Sequence, residues 1–499
     1  MGQIKISTKN KKNINILKYL ILALFIFLIS VVSIDAQFIQ WTRTFGGPGQ
    51  DGGESMVLTN DGGIVITGFK SPVAYGYKDI LLMKTDASGN EIWSRTYNLG
   101  LNDWARSLQK TSDGGFIIAG MTEVSPQIFD PFLIKTDSAG NMQWSRQYDY
   151  GFGDDDRGHA VWQTSDGGYI IAGQTWLMHG SFGNYDMYII KTDMNGNVQW
   201  KKVFFRENEG GDVALAVQQL SGGGYIIGGF TQSSIWASYV IRTDNLGNAI
   251  WSNIYPGAWQ SECYDIKATP DGGFILTGTE TSFVTDADVL IMKLDANGNM
   301  TWKKIYGTED SEQGESIQRL PDGGYIVAGM SAHGAGGYDM YVIRTNSTGD
   351  SLWSSTIGGS GDDRAFAVAS PQPGAFLVTG WAWSYGQGLG DVYLVKLTES
   401  FTGNIGNNSI PKSMALHQNF PNPFNPYTLI NYELSNKSDV KLAIYDITGK
   451  TISIPVDGNQ NTGTYQVKFS GNNLPSGIYF YTLFVNGNII DSKKMILIK

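Results

Sequence analysis

The chain has 499 residues, with 63 glycines, 14 tryptophans and 25 tyrosines, and only 16% of it is charged. Glycine near twice its usual share of about 7%, with charge well under the usual ~25%, excludes a long charged helical protein and a disordered polar chain and favours many short strands joined by tight turns. A net charge of −10 repels phosphate backbones, so nucleic acid is not an expected partner.

Residues 1–36 read as an export signal. Lys5, Lys9, Lys11, Lys12 and Lys18 make a basic start, the 16 residues from Tyr19 to Ile34 are mostly apolar, and Ala36 offers a small residue before a cut that leaves Gln37 as the mature start. The apolar run is shorter than the ~20 residues that span a bilayer, which favours cleavage over an anchor. Its removal takes the net charge to −14, and eight lysines against five acids after residue 411 leave the centre near −17. The lone Cys263 excludes an internal disulfide and a cysteine-based zinc site, and the four histidines lack metal-ligand spacing. No phosphate-cradling glycine motif occurs.

From Trp41 onward the chain repeats. Trp41, Trp93, Trp144, Trp200, Trp251, Trp302 and Trp353 stand 52, 51, 56, 51, 51 and 51 residues apart. Between them recur a DGG turn, an apolar phrase such as Tyr169-Ile170-Ile171-Ala172-Gly173, a strand ending in KTD, and a Gly-Asn turn. Each repeat reads as four short antiparallel strands, with Asp-Gly turns supplying the positive φ angles that tight hairpins require. A four-stranded unit about every 51 residues describes the blade of a β-propeller, in which no unit is stable alone. The seventh repeat lacks its fourth strand, and the segment Phe38–Phe45 around Trp41 is a strand without a repeat. The expected fold is all-β, a seven-bladed propeller over 37–400 closed by that N-terminal outer strand. The KTDxxGNxxxW phrase is similar to repeats of pyrroloquinoline-quinone propellers and, loosely, to sialidase Asp-boxes. The spacing from Asp137 to Gly140 to Trp144 departs from an Asp-box, so neither cofactor nor activity carries over.

Residues 401–412 are polar and aperiodic, a linker. The segment 413–499 alternates short strands with Gly and Asn turns, which implies a small Ig-like β-sandwich. Its motifs are the extended entry Asn422-Pro423-Phe424-Asn425-Pro426, the turn Tyr445-Asp446-Ile447-Thr448-Gly449, the strand around Gly477 and Tyr479, and the ending that contains Lys494. Together they resemble the C-terminal sorting domain, type A, of the type IX secretion system of Gram-negative bacteria. The resemblance implies passage across the outer membrane to the surface or medium, with the secretion machinery and a sortase-like peptidase as partners. An accessory carbohydrate-binding sandwich is the alternative for this segment.

Candidate function sits on the propeller's variable loops, where recognition residues concentrate. Trp176, Tyr185, Trp236, Tyr338, Trp381, Trp383 and Tyr385 lie in loops after second strands. Their ring faces suit sugars in a glycan site, and they equally suit filling gaps between blades. Asp51, Asp103, Asp156, Asp212, Glu312 and Asp363 recur in phase, with Ser261 breaking the series. They form either a carboxylate ring at the channel mouth or caps on their own loops. No cofactor is expected, with calcium left open as the metal of that ring. Asp265 replaces a small residue and is expected in a solvated channel, and Arg106, Arg157 and Arg364 are expected near the channel mouth. The overall expectation is an exported, monomeric, non-catalytic binding or adhesion protein for a glycan or protein ligand. The alternative is a propeller hydrolase or lyase acting on polysaccharide.

Overall fold

The computed structural model describes residues 37–74, 76–149, 155–179, 182–206, 210–232, 236–282, 286–334, 336–399, 414–416, 419, 427–471 and 474–497. The proposed signal segment, the linker and the Asn422–Pro426 entry lie outside them. The described residues contain strands and turns and no helix. They fall into two compact units, 1–401 and 402–499.

The first unit contains seven four-stranded antiparallel sheets, propeller-like in their blades. The first sheet pairs Asp51–Leu58, Ile64–Lys70, Asp79–Thr85 and Glu91–Tyr97 in that order. Five more follow over residues 103–147, 157–204, 212–256, 260–306 and 312–357. The seventh joins Asp363–Gln372, Ala375–Ala382 and Asp391–Glu399 to the distant strand Gln37–Phe45, whose Thr44 faces Tyr393. The chain start thus supplies the fourth strand that the last repeat lacks.

Burial follows the apolar pattern. Second strands such as Phe274–Thr281 are buried along nearly their whole length, while fourth strands such as Glu91–Tyr97 alternate between exposed and covered residues. Three local devices recur in most of the sheets. The Asp of DGG takes the Lys of KTD as an ion pair, at 2.6 Å for Asp61–Lys84 and 2.9 Å for Asp113–Lys135. The Asp of KTD caps its turn: Asp86 accepts Ser88 N–H at 2.8 Å, Asn90 N–H at 2.9 Å and the Asn90 amide at 2.8 Å. The turn glycine then takes the left-handed conformation, φ +78° at Gly89.

That glycine also joins neighbouring sheets. A Cβ on Gly140, in the second sheet, would stand 2.7 Å from the Trp93 ring of the first, and one on Gly89, in the first, 2.8 Å from Trp41 of the seventh. Gly196, Gly247, Gly298 and Gly349 receive Trp144, Trp200, Trp251 and Trp302 in the same way. The seventh sheet therefore packs on the first as the first five sheets pack on their successors. Leu377 and Leu394 share a core there with Ile64, Ile66 and Met83.

The second unit has a three-stranded sheet with Ala415–Leu416, Tyr427–Leu434 and Gly463–Ser470, and a four-stranded sheet with Thr451–Gln460, Ser438–Asp446, Gly477–Val485 and Asn488–Leu497. One core lies between them, built from Ile430, Tyr432 and Leu434 against Leu442, Ile444, Tyr481 and Leu483. Asp446 caps the turn through Thr448 and Lys450 N–H groups, Gly449 takes φ +83°, and buried Tyr479 donates to Pro475 O at 2.8 Å. Gly477 faces Leu497, and exposed Lys494 faces Phe480 across the edge pair.

Gly140→Ala meets both a disfavoured backbone angle and the Trp93 ring. It should cost about 1–3 kcal/mol, read by chemical denaturation of the full chain. An unchanged transition would contradict the tryptophan–glycine contact as a stabilising junction.

Candidate functional site

The recurrent carboxylates start the innermost strands and are fully buried. Asp51, Asp103, Glu312 and Asp363 each accept the N–H of the residue four positions before, at 2.8–2.9 Å. Loop capping is therefore what these side chains do. Asp212 binds Arg206 at 3.1 Å. Asp156 is buried at the corresponding place.

Three of these caps also face a carboxylate from the third strand of the preceding sheet. The volume that a Cβ on Gly46 would fill lies 1.6 Å from Asp391 Oδ1 and 2.7 Å from Asp51 Oδ2. At Gly307 it touches Asp288 and Glu312, and at Gly358 Asp339 and Asp363. Where Ser261 breaks the acidic series, the facing residue is Ser238, and the two hydroxyls bond at 2.7 Å. The carboxylates sit in the junctions between sheets, and among the described residues no group of three or more His, Cys, Asp or Glu side chains is arranged to hold a metal.

A different set occupies the bulges. In the first strand of all seven sheets the register slips at the third residue after the capping position: Glu54, Arg106, His159, Leu215, Tyr264, Glu315 and Phe366. Such a bulge re-aims the side chain that it carries. Arg106 pairs with Glu54 at 2.9 Å, and Tyr264 donates to Glu262. His159 bonds Gln174 at 3.2 Å and is held down at about 3, by burial first and then by Arg106. Glu315 is pushed up to about 7 by burial and then by the charge of Glu54.

One expectation is corrected here. Asp265 is not a solvated channel acid: it is buried, binds Lys267 at 2.7 Å and accepts Ile317 N–H of the next sheet at 3.1 Å. It extends the role of Ser55 and Ser107, which accept Leu108 and Val161 N–H groups. Arg106, Arg157 and Arg364 each pair with a carboxylate of their own, Glu54, Asp155 and Asp362.

Of the seven loop aromatics, five are partly covered. Trp176 and Tyr185 meet edge-on at 5.0 Å, and Trp236 stacks on Phe230 at 5.6 Å. Tyr338 and Trp381 flank Arg364, whose guanidinium lies 4.9 and 5.4 Å from their ring centres. Trp383 and Tyr385 are exposed, at 52% and 40%. Trp383 lies 6.1 Å from Trp381, which in turn stacks on the bulge residue Phe366 at 6.2 Å and 8°. The indole N–H of Trp381 is buried without a hydrogen-bond partner among the described residues. Exposed Phe205 and Trp259 also belong to loops of this face. The sequence reading missed both because it searched the loops after second strands and not those after fourth strands. Two open grooves of about 560 and 690 Å³ lie instead along the short-turn face, on either side of Thr269-Pro270.

Comparison with known proteins assigns the C-terminal segment. Residues 418–499 match the family described as the secretion system C-terminal sorting domain. The chain is thus an exported protein, carried to the cell surface or beyond by the type IX secretion machinery that this segment engages. No curated protein matches the chain. Among solved structures, PorZ, a surface component of the type IX system of Porphyromonas gingivalis, is 13% identical over 91% of this chain, with a TM-score of 0.43. This chain spans only 60% of the PorZ chain. A Dyadobacter fermentans protein of unknown function is 11% identical, covering 72% of this chain and 100% of its own, with a TM-score of 0.42. A puromycin hydrolase is 11% identical over 78% of this chain and 59% of its own, with a TM-score of 0.47. These likenesses assign no activity.

The buried acids set a pH dependence. Burial raises Asp51, Asp103 and Asp391, and burial with the charges of Asp149 and Asp156 pushes Asp130 up to about 6. A raised acid stabilises the fold fully below its unfolded value of about 4, and that contribution disappears as pH rises through the folded value. The turn acids act oppositely: Asp271, held at about 2 by Thr269 and Lys293, contributes above pH 4 and loses that contribution as pH falls toward 2. The melting midpoint should therefore peak between about pH 4 and 5 and decline toward pH 7, with Asp130→Asn flattening that decline. A midpoint that climbs from pH 4 to 7, unaltered in the Asn variant, would contradict the assignment.

Proposed function

We propose that the seven sheets over 37–400 close into a β-propeller, and that this exported propeller binds a glycan, without catalysis, on its variable-loop face. The observation that carries the reading is the aromatic path from exposed Trp383 through Trp381 to Phe366 at the channel. Flat apolar ring faces gain stacking and area burial against a sugar face, while Asp362 and its partner Arg364, which lies over the Trp381 ring, offer hydroxyl partners in both hydrogen-bond senses. Gly390 lets the backbone lie against the Trp383 ring, where a Cβ would stand 2.7 Å from its nearest atom. The ring is thus seated from behind and open in front. Export to the cell surface suits a protein that meets polysaccharide outside the cell.

A glycan array probed with the full mature chain should retain a defined set of glycans. Trp383→Ala should weaken that binding by about 1–2 kcal/mol and leave the melting midpoint unchanged, because the ring is half exposed. Asp113→Ala, on the opposite face, should lower the midpoint through loss of its Lys135 pair and leave binding intact. An array without retained glycans, or a Trp383→Ala protein of undiminished affinity, overturns the reading.

A further inference from the structure

At three successive junctions on the short-turn face, the last residue of a first strand reaches back to the turn of the preceding sheet. Lys110 donates to Asn60 Oδ1 at 2.5 Å, and Gln163 and Gln219 accept the N–H groups of Ser112 and Ser165 at 2.8 and 2.7 Å. The next two junctions lack that strut. In the fifth sheet the residue is Ala268, too short to bridge. In the sixth it is Arg319, whose counterpart in the preceding turn is Pro270, a residue with neither an N–H nor a side-chain acceptor. The two grooves of this face lie at these junctions, the one of about 690 Å³ lined by Ser221 and Ala268 and the one of about 560 Å³ lined by Pro270 and Arg319.

The second groove carries a cation without a partner. Lys293 is paired with Asp271 at 2.9 Å, and Asp295 accepts the N–H groups of Asn297 and Asn299 at 2.8 Å and the Asn299 amide at 2.9 Å. Arg319 is exposed and has no ion pair or hydrogen bond with any described residue. Half-buried Trp302 and the hydroxyls of Thr301 and Ser347 line the same groove. The backbone around it is spent within its own turns, Thr269 N–H on Gly273 O, Gly272 N–H on Thr269 O and Gly323 N–H on Leu320 O. An extended peptide would therefore find no main-chain partners here. A sugar needs a ring face and hydroxyl partners, and an acidic sugar needs a guanidinium as well.

We propose that this groove, on the face away from the variable loops, is a second ligand site that takes a uronic-acid sugar, its carboxylate on Arg319 and its ring against Trp302. A guanidinium holds a carboxylate through two parallel N–H bonds, and the volume is that of a small-ligand pocket. One unpaired cation matches one carboxylate, so the ligand is a neutral chain bearing isolated uronates, which an acidic protein body repels least. Across the Thr269-Pro270 ridge the neighbouring groove continues the path with the uncharged side chains of Gln218, Ser221 and Asn245. The site uses nothing from the Trp383 surface and is independent of the reading above.

Calorimetry on the full mature chain, with xylotriose bearing a single glucuronate and the methyl ester of the same oligosaccharide, tests the proposal. The free acid should bind at least tenfold tighter, with an advantage that shrinks between about 50 and 500 mM salt. Arg319→Gln should bring the acid to the affinity of the ester. Pro270→Ser combined with Arg319→Gln rebuilds the strut of Gln163 and Gln219, and should abolish binding of both forms with a melting midpoint no lower than the parent's. Equal affinity for acid and ester, or an acid preference indifferent to Arg319→Gln, overturns the inference. An acid preference that falls with Trp383→Ala and not with Arg319→Gln places the anion on the variable-loop face and overturns it as well. If glycans on the array are retained and neither probe binds, this inference alone is removed and the variable-loop reading stands.

Discussion

The fold depends on one contact made again at successive junctions: a tryptophan on the outer strand of one sheet lies on the turn glycine of the next. The glycine has φ near +78° and no side chain, so the ring reaches backbone that any other residue would cover. At several junctions a tyrosine adds a hydrogen bond to the carbonyl of that same glycine, 2.9 Å from Tyr148 to Gly196 and 2.5 Å from Tyr255 to Gly298. A single sheet leaves its faces uncovered, and covering an aromatic ring contributes about 1.5–3 kcal/mol. Stability therefore resides in the junctions, and the loops take their places from them.

Several departures from the repeat are compensated within the chain. The sixth sheet exchanges Asp and Asn at its turn, and the bond persists with donor and acceptor reversed, Asn346 to Asp350 at 3.1 Å. The fourth sheet has Gly222 where five others have the DGG aspartate, and its Arg242 reaches Ala296 O of the next sheet at 3.0 Å instead. Ser238 accompanies Ser261 where facing carboxylates would otherwise stand. Chemistry that maintains the fold is preserved through such compensating changes.

This contrast explains what was legible in the sequence. Strand order, the turn chemistry and the stranded partner around Trp41 follow from period, Asp-Gly turns and a missing fourth strand, all of which are local or counted signals. The capping acids left two readings open because periodicity places a side chain on a strand without saying which N–H groups surround it. Asp265 was misplaced for a related reason: the bulge at Tyr264 shifts the alternation by one, turning the following residue into the junction. The bulge itself has no glycine or proline to announce it. Its signal was available in another form, as the position that differs in nearly every repeat. The exposed Trp383 and the covered Trp236 look alike in sequence, since burial there depends on whether Phe230 stands opposite.

The sorting segment carries the address for export, and recognition falls to the sheets on the function proposed above. The account requires that all seven sheets, with the strand Gln37–Phe45 among them, act as one cooperative body. Amide hydrogen exchange on the full chain measures this directly. The account predicts that Thr42–Phe45 are protected as strongly as Val392–Val395 opposite them, and that sheets one and seven open together with the rest. Rapid exchange of Thr42–Phe45 while the other sheets remain protected would contradict it.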